Sequence, residues 1–458
     1  MEQVQAFLGK LSDLIWGPPL LILLVGTGIF LTFRLTFIQF RLLPYSLKQV
    51  FSRNHDKKAD GDISQFQALM TAMAATVGVG NIVGVASAVA TGGPGAIFWM
   101  WVAGLFGMAT KYGEAVLAVK YRVKDANGQM AGGPMYYLEH GLKQKWLGVM
   151  FAIFGAFAAF GIGNGTQSKA IADAMNNAFN VPFWVTGIAL VIFGALVILG
   201  GIKSIGKVTA FFVPIMALFY FIAGAIIIIL NFDLVPAAFG LIFSDAFSGQ
   251  AIAGGAIGTV IRFGVARGLF SNEAGLGSAP IAAAAAKTDM PGRQALISMT
   301  QVLFDTLIIC SITGVTIVMS GQWNKGIDKG ALTGEAFGYF LGGAGPMIVT
   351  IGLIFFASST ILGWSYYGEK CFQYLFPNPK AVFTYRIVFV LFIFVGATAT
   401  LDVVWTLADV LNGLMAIPNL IGLLGLSGVI VMESKRFQAK MQEEKKEKEK
   451  MQVDSDLN

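Results

Sequence analysis

Apolar segments of about 20 residues alternate with shorter polar segments along most of the 458-residue chain. A run of that length is long enough to cross the hydrocarbon core of a bilayer as a helix. A β-barrel is not expected, because its strands would appear as short alternating segments. We therefore predict an all-α polytopic membrane protein with about 11 transmembrane helices, at about residues 14–33, 66–90, 95–119, 148–175, 182–199, 208–230, 251–286, 294–319, 346–368, 383–400 and 403–431.

Clustered glycines interrupt only two of these predicted spans. The first interruption is "TVGVGNIVG", residues 76–84, and the second is "RFGVARGLFSNEAGLGSAP", residues 262–280. Glycine is a poor helix former, and unwound backbone at bilayer depth is tolerated only where protein or a polar cavity satisfies it. When the first span is set aside, the interrupted spans begin two five-helix halves and cross in opposite directions. Such an inverted 5+5 repeat is typical of secondary transporters, whose binding site lies at the midplane.

This spacing divides the chain into four parts. We predict an extra N-terminal transmembrane helix and cytoplasmic linker (1–64), a first five-helix repeat (65–230), a second, inverted repeat (231–432) and a charged cytoplasmic tail (433–458). The tail contains the run "EEKKEKEK" and is predicted to be a helix in solvent or on the membrane surface.

Composition and charge agree with a membrane protein and indicate its orientation. Hydrophobic residues make up 55% of the chain and charged residues 13%, about half the charged fraction of a soluble domain. Lys and Arg are concentrated in the loops that follow the odd-numbered spans, which are therefore expected to be cytoplasmic. We predict a multi-pass protein of the cell membrane with its N-terminus outside and its C-terminus inside.

The sequence gives little support for an enzyme, a channel or a nucleic-acid-binding protein. The two histidines, His55 and His140, both lie in polar loops, and Cys310 and Cys371 form no metal-binding or disulfide pattern. No repeated pore segment is present. Asp305 and Asp409 are acids within predicted spans, and the sequence indicates no partner for either.

Interrupted helices expose backbone groups that can bind charge. The half that leaves a break begins with free N–H groups and the positive end of a dipole, which suit a carboxylate. The half that enters it ends with free carbonyls, which suit Na⁺ or an ammonium. A zwitterionic amino acid carries both charges a short distance apart.

Several long motifs resemble the alanine or glycine:cation symporter family. They are "VGVGNIVGVA" followed by "GGPGAIFWMWVAGLFGMATKYGE" (92–114), "AGGPMYYL" (131–138) and "ARGLFSNEAGLGSAP" (266–280). The resemblance covers about residues 10–430. It implies a leucine-transporter-like fold preceded by one extra helix, and Na⁺-coupled, sometimes H⁺-coupled, uptake of small amino acids; the leucine transporter itself is an established example of this architecture.

The resemblance also implies a sodium site and a carboxylate site. The stretch "AATVGVGN", residues 74–81, is similar to the unwound segment of the leucine transporter. This implies that the carbonyls of Ala74 and Val77 face Na⁺, which the hydroxyls of Ser359 and Thr360 complete, with Ser358 as a rival. The amides of Val79 and Gly80 are implied to bind the substrate carboxylate. Thr76 and Asn81 are expected to contact the substrate and also line up with a second sodium position, where Ala75 replaces an asparagine of the leucine transporter.

Other polar and aromatic residues are candidates for the rest of the site. We expect Gln167 to contact the substrate, the carbonyls of Phe270, Ser271 and Asn272 to receive its ammonium, and Trp364 to close the pocket over its side chain. Bulky aromatic walls favour a small substrate. Charges beside the second interruption, Arg262, Arg267 and Glu273, are expected to form a gate or to pin the unwound segment. Lys111 with Glu114 is expected to be a structural pair, and Lys169 with Asp173 a structural or gating pair.

These observations lead to one function and one alternative. We predict a Na⁺-coupled symporter that imports alanine or glycine by alternating access, with Na⁺ as the coupling ion and no organic cofactor. The alternative is an H⁺-coupled carrier of another neutral amino acid, such as glutamine. The expected partners are the small amino acid and the lipid bilayer, with no nucleic acid. The sequence leaves the oligomeric state open, a monomer included.

Overall fold

The computed structural model describes residues 2–52, 59–247, 258–399 and 402–456, and these residues are almost entirely helical. Within them lies one short antiparallel sheet, formed by β1 (Val123–Lys124) and β2 (Met130–Ala131). The predicted all-α fold class is therefore confirmed.

Four helices precede the first interrupted span. They are α1 (Glu2–Ile15), α2 (Pro18–Arg34), α3 (Ile38–Arg41) and α4 (Leu43–Val50). Prolines occupy the first positions of α2, where a missing amide hydrogen costs no helical hydrogen bond. Together α1 and α2 make an apolar run, Gln3–Arg34, that is long enough to cross a membrane. The extra N-terminal segment therefore begins well before the predicted residue 14.

The first predicted interruption, within residues 76–84, is present. Ser64 caps α5 (Gln65–Thr76): its hydroxyl accepts a hydrogen bond from the amide of Gln67 at 3.1 Å, and the Gln67 side chain accepts one from the amide of Ser64 at 2.9 Å. Helix α5 ends at Thr76, and the helical segment Gly80–Gly92 continues at an angle of 53°. That segment consists of a π-helical turn (Gly80–Gly84) and α6 (Val85–Gly92).

The remaining helices of the first half are continuous or carry short π-helical turns. They are α7 (Ala96–Lys120), α8 (Pro134–Tyr136) with a π turn (Tyr137–Gly141), α9 (Lys145–Phe160) with a π turn (Gly161–Gly165), α10 (Thr166–Phe179), α11 (Phe183–Ile198) and α12 (Gly201–Leu230).

The second half follows a 3-10 turn (Phe232–Leu234). Its helices are α13 (Val235–Ala246), α14 (Thr259–Asn272), α15 (Pro280–Ala284), α16 (Pro291–Val302) with a π-helical segment (Leu303–Cys310), α17 (Ser311–Ser320), α18 (Leu332–Leu341), α19 (Ala344–Leu375), α20 (Pro379–Thr398), α21 (Asp402–Gly425) and α22 (Ser427–Asp456). The short helices α13 and α18 are not predicted by the hydropathy pattern.

The second interruption lies between α14 and α15. Glu273, Gly275 and Gly277 have φ values of 55°, 88° and 84°, all in the left-handed region. Glycine adopts such angles without steric cost, which explains two of the glycines in the predicted segment. Part of the predicted span 251–286, residues 251–257, lies outside the described residues.

Fewer helices of the described residues qualify as membrane spans than the sequence pattern predicts. Seven helical stretches of the described residues are long and apolar enough to cross a membrane, and the bent pair Gln65–Thr76 with Gly80–Gly92 makes an eighth. The other predicted spans correspond to α7, to the 16-residue α11 and to the broken pair α14 and α15. The structure thus supports a multi-pass membrane protein, and the count of eleven stays a prediction.

Helix packing brings the two interruptions together. Helix α5 packs against α12 and α19, while α7 packs against α14 and α16. The π turn after α5 contacts both α14 and the π segment after α16. The π turn after the first break therefore lies against α14, the helix that leads into the second break, and α19 lies beside α5.

The charge of the C-terminal helix predicts a helix at the surface, but its first part is buried. Phe437 in α22 is fully buried, with its ring 6.5 Å from that of Tyr45. Glu433 is also buried and forms an ion pair of 2.6 Å with Lys120. The sequence-based expectation of a surface helix is therefore wrong for this first part of α22, because an apolar residue and paired charges bind it to the bundle.

Candidate functional site

The first unwound stretch is held by side chains that satisfy its free amides. The amide of Gly78 donates to Oδ1 of Asn81 at 2.9 Å, and the amide of Val79 donates to Oε1 of Gln167 at 3.4 Å. A Cβ added to Gly78 would collide with Oγ1 of Thr360 and lie 3.3 Å from Oε1 of Gln167. Glycine is therefore required at 78 because two polar side chains approach the backbone closely.

Four predicted sodium ligands lie together beside this stretch. The hydroxyl oxygen of Ser359 is 3.2 Å from the carbonyl oxygen of Ala74 and 3.4 Å from that of Val77. The hydroxyl oxygen of Thr360 is 3.4 Å from the same Val77 carbonyl. Both hydroxyls also reach the carbonyl of Phe356, at 2.8 and 3.0 Å. These oxygens connect the end of α5 to the middle of α19.

The chemistry of this cluster fits a hard monovalent cation. Every atom in it is an uncharged oxygen, the ligand type that hard cations prefer. Ala74, Val77 and Ser359 are fully buried, and Thr360 is 2% exposed, so few water molecules compete for the cation. The role of these residues as Na⁺ ligands stays a prediction that the arrangement supports.

An acid that the sequence left without partners reaches the opposite side of the first unwound stretch. Oδ1 of Asp305 accepts a hydrogen bond from Nδ2 of Asn81 at 2.7 Å, and Oδ2 accepts one from the hydroxyl of Ser271 at 3.0 Å. Thr306 donates a further bond to Oδ2 at 2.8 Å. Asp305 thus joins both interruptions, and it is fully buried. The only signal in the sequence was an acid inside an apolar span.

Two other predicted substrate ligands hold their side chains in protein contacts. Asn272 donates from Nδ2 to Thr306 at 3.0 Å and accepts from the amide of Ala274 at 2.9 Å, so it caps the end of α14. The hydroxyl of Thr76 accepts a bond from Nε2 of Gln301 at 3.0 Å. In this conformation both side chains therefore connect helices.

The predicted aromatic walls lie at different places around the unwound stretches. The ring of Phe270 lies 3.7 Å from the position of a Cβ on Gly80, and it meets Trp16 edge-on with the ring centroids 6.4 Å apart. Trp364 is 1% exposed and donates from Nε1 to Oε1 of Glu273 at 2.8 Å. Gly163 allows this approach, because any Cβ there would collide with the Trp364 side chain.

The predicted gate residues have separate partners in this conformation. Arg262 forms an ion pair of 3.5 Å with Asp13, and the guanidinium of Arg267 lies 5.8 Å from the ring centre of Phe270. Glu273 hydrogen bonds to Trp364 and Ser278 instead of to an arginine. Glu273 therefore pins the second unwound stretch here, and a gating role for the three charges stays a prediction.

For the remaining charged residues of the predicted spans, the structure confirms one predicted pair and not the other. Lys169 and Asp173 form the predicted ion pair at 2.6 Å. Asp409 accepts a hydrogen bond from Ser12 at 2.5 Å, a contact that the sequence did not indicate. Lys111 and Glu114 do not form the expected pair: among the described residues the ammonium of Lys111 has no hydrogen-bond partner.

Comparisons with known proteins identify the family. The family model described as "Sodium:alanine symporter family" matches residues 1–452. The sodium/alanine symporter AgcS of Methanococcus maripaludis is 59% identical over 440 residues, which cover 94% of this chain and 97% of that protein. The probable sodium/glutamine symporter GlnT of Bacillus subtilis is 39% identical, covering 95% and 91%.

A solved structure supports the fold. The crystal structure of MhsT in complex with L-phenylalanine aligns with a TM-score of 0.56 at 13% identity, covering 82% of this chain and 99% of that one. At this identity the likeness concerns the arrangement of helices alone.

Proposed function

Because the chain belongs to the sodium:alanine symporter family, we propose that it is a symporter in which an inward Na⁺ gradient drives the import of a small neutral amino acid, alanine or glycine. Members of this family and the matched relatives are transporters, which points away from an enzyme. The multi-pass architecture provides the bilayer setting that such a function requires.

The observation that carries the proposal is the oxygen cluster of Ala74, Val77, Ser359 and Thr360. Na⁺ bound there would take up the hydroxyl and carbonyl oxygens that now bond to each other. Binding would thereby tie the broken end of α5 to α19. Since the amides of the next residues belong to the same turn, the ion also orders the segment that receives the amino acid, and by linkage each ligand strengthens the binding of the other.

We place the amino acid between the two unwound stretches. Its carboxylate would bind the amides of Val79 and Gly80, and it would replace the carbonyl oxygen of Gln167 that now accepts from Val79. Its ammonium would face Ser271 and the carboxylate of Asp305, which accepts a hydrogen bond from Asn81 of that turn. Phe270 and Trp364 would leave room for only a small side chain.

Transport would follow from exposing this site to each side in turn. The two halves are proposed to be inverted repeats, with the N-terminus outside the cell membrane and the C-terminus in the cytoplasm. Na⁺ and substrate then shift the population between outward and inward states through their differential affinity for them. The protein's oligomeric state has no part in this scheme.

The H⁺-coupled glutamine carrier is the competing proposal. Its substrate has the support of a relative at 39% identity, whereas the sodium/alanine symporter is 59% identical. A proton-coupled carrier would need an acid inside the membrane to carry the proton, and the sequence offers Asp305 and Asp409 for this role. Asp409 bonds to Ser12 in α1, and Asp305 bonds to Asn81 and Ser271 in the site.

Uptake of radiolabelled alanine into proteoliposomes tests the proposal. We expect accumulation under an imposed inward Na⁺ gradient, competition by unlabelled glycine, and no competition by leucine. A pH gradient without Na⁺ should drive no uptake. Accumulation driven by the pH gradient alone, or competition by glutamine in place of glycine, would favour the competing carrier.

A further inference from the structure

The N-terminal helix α1 lies outside the two proposed five-helix repeats, yet polar contacts hold it against one of their helices. It packs along α21. In its first turn, Nε2 of Gln5 donates to the hydroxyl of Thr406 at 2.9 Å. In its last turn, the hydroxyl of Ser12 donates to Oδ2 of Asp409 at 2.5 Å. These bonds at both ends fix the position of α1 along α21.

Trp16 follows the last residue of α1 and is anchored to α21 as well. Its Nε1 donates to the backbone carbonyl of Asp409 at 3.1 Å, so the polar atom of the indole has a partner. Gly413 makes room for this contact, because a Cβ there would lie 2.5 Å from Cγ2 of Ile15 and 3.1 Å from Nε1 of Trp16. The indole is therefore fixed by a hydrogen bond and by close packing.

The same indole contacts Phe270, a predicted wall of the substrate site. The two rings meet edge-on, with centroids 6.4 Å apart and planes at 66°, which is a favoured arrangement of aromatic pairs. The ring of Phe270 also lies 3.7 Å from the position of a Cβ on Gly80, and the guanidinium of Arg267 lies 5.8 Å from its centre. Phe270 is thus placed between the N-terminal segment and the first break.

An ion pair also joins α1 to α14, but it is the weaker connection. The guanidinium of Arg262 lies 3.5 Å from the carboxylate of Asp13, and these side chains are 36% and 82% exposed. Exposed ion pairs contribute little, because water and salt screen them. Trp16 and Phe270 are both half-buried. The ring contact is therefore the connection through which the N-terminal segment can act on the site.

We propose that Trp16 is a positioning residue for substrate selection, which holds the ring of Phe270 against the first break and so limits the side chain that the site accepts. The inference rests on the proposed uptake of a small amino acid and on Phe270 as a wall of its site. A large-to-small substitution leaves a cavity that its neighbours fill only in part. Without the indole, the ring of Phe270 would have space to turn away, and a larger amino acid would fit.

Competition by unlabelled leucine against Na⁺-driven uptake of labelled alanine tests the proposal in proteoliposomes. Leucine should not compete in the wild type. In Trp16→Ala, the leucine concentration that halves alanine uptake should fall by at least about tenfold, the size of the discrimination that an apolar pocket achieves. The alanine concentration for half-maximal uptake should change much less. Trp16→Phe keeps a ring beside Phe270 and should restore most of the discrimination against leucine.

Two comparisons separate a positioning role from a general loss of structure. Trp184→Ala removes an exposed tryptophan of α11 and should leave leucine without effect. Phe270→Ala should itself admit leucine, and adding Trp16→Ala to it should change little, because residues that act through one contact are not additive. Independent effects of Trp16→Ala and Phe270→Ala would contradict the proposal.

The results for the wild type and for the Trp16 variants test different claims. A Trp16→Ala protein that takes up alanine and still excludes leucine overturns the role of Trp16. If Trp16→Ala does not fold, Trp16→Leu keeps an apolar side chain but no ring, and it should show the same change; its exclusion of leucine would be the contrary result. Wild-type vesicles without Na⁺-driven alanine uptake would instead overturn the proposed function itself.

Discussion

Both interrupted helices leave backbone N–H and C=O groups without helical partners, and the two breaks satisfy these groups with different kinds of side chain. At the first break, neutral groups satisfy the free backbone: the Asn81 and Gln167 side chains accept from amides, and hydroxyls of α19 meet the carbonyls. At the second break, buried charges do so, with Glu114 accepting from two glycine amides. Neutral partners are readily exchanged for an ion and a carboxylate, whereas buried charges are costly to release.

This difference suggests a division of labour. We propose that the first break binds and releases ligands, because each of its protein contacts has a proposed ligand group that can replace it. We propose that the second break keeps its shape and presents Ser271 and Asp305 to the ligand. The following predictions test this division, from the largest expected effect to the smallest.

Gly78→Ala should have the largest effect. The new Cβ would collide with Oγ1 of Thr360 and crowd Gln167, at the point where the ion cluster and the carboxylate site meet. We expect Na⁺-driven alanine uptake to fall by about 100-fold, since displacements of about 1 Å in a site have such effects. Gly84→Ala is the matched control, because a Cβ there meets no atom within 4 Å. Equal uptake by the two variants would remove the steric argument for the first break.

Ser359→Ala and Thr360→Val should weaken sodium activation. Each removes one uncharged oxygen from the cluster while leaving the carbonyls of Ala74 and Val77 in place. We expect the Na⁺ concentration for half-maximal uptake to rise about tenfold for each, the cost of one bond to a charged partner. Ser358→Ala on the same helix provides the comparison. Should Ser358→Ala have the larger effect, the rival hydroxyl would be the ligand.

Gly277→Ala, at the second break, should lower the stability of the fold more than it changes the affinity for ligands. Its φ of 84° is unfavourable for alanine, and a Cβ would lie 2.7 Å from the ring of Phe151. We expect a loss of about 1–3 kcal/mol in the free energy of unfolding, seen as a lower midpoint of thermal unfolding in detergent. The Na⁺ concentration for half-maximal uptake should stay near the wild-type value. A shift of that concentration with unchanged stability would place the second break in the ion site.

Asp289→Asn should have the smallest effect on transport, because Asp289 lies where the bundle contacts α22, away from the two breaks. Burial raises the pKa of Asp289, but its hydrogen bonds with Arg293 and Lys440 outweigh burial, so the pKa lies below its ordinary value. A carboxyl with a lower pKa in the folded state stabilises it above about pH 4, and this contribution is lost as the pH falls through the folded pKa. Docking of α22 should therefore be unchanged between about pH 5 and about pH 8.

Limited proteolysis measures that docking. At neutral pH, Asp289→Asn should be cleaved in α22 faster than the wild type, while alanine uptake changes little. Glu449→Gln is the control, because Glu449 is exposed and pairs only with Lys445 of the same helix in the described ion pairs. Cleavage of both variants at the same rate would show that Asp289 does not hold the helix.

The sequence predicted local features well and distant contacts poorly. Both interruptions follow from clustered glycines, and the pair Lys169–Asp173 follows from helical spacing. The partners of Asp305 could not be predicted, because Asn81 is 224 residues away in the chain and only the folded bundle brings it near. For the same reason Lys111 was assigned to Glu114, its neighbour on the helix, while Glu114 binds a turn more than 160 residues further on.

The count of spans shows a second limit. Hydropathy predicts a span wherever about 20 apolar residues occur. Helix α7, however, carries Lys111 and Glu114 inside the bundle. Helix α14 has only 14 residues before the second break, too few to cross a bilayer alone. Neighbouring helices bury such segments, so their place in the membrane depends less on the length of their own apolar run.

Alanine-dependent entry of radioactive sodium tests the central claim, that Na⁺ and alanine bind at one broken helix and move together. With no imposed gradients, alanine added outside proteoliposomes should accelerate sodium entry for the wild type, and should have no such effect for Gly78→Ala. Alanine entry that leaves sodium entry unchanged in the wild type would contradict the account, since the ligands would then cross without coupling.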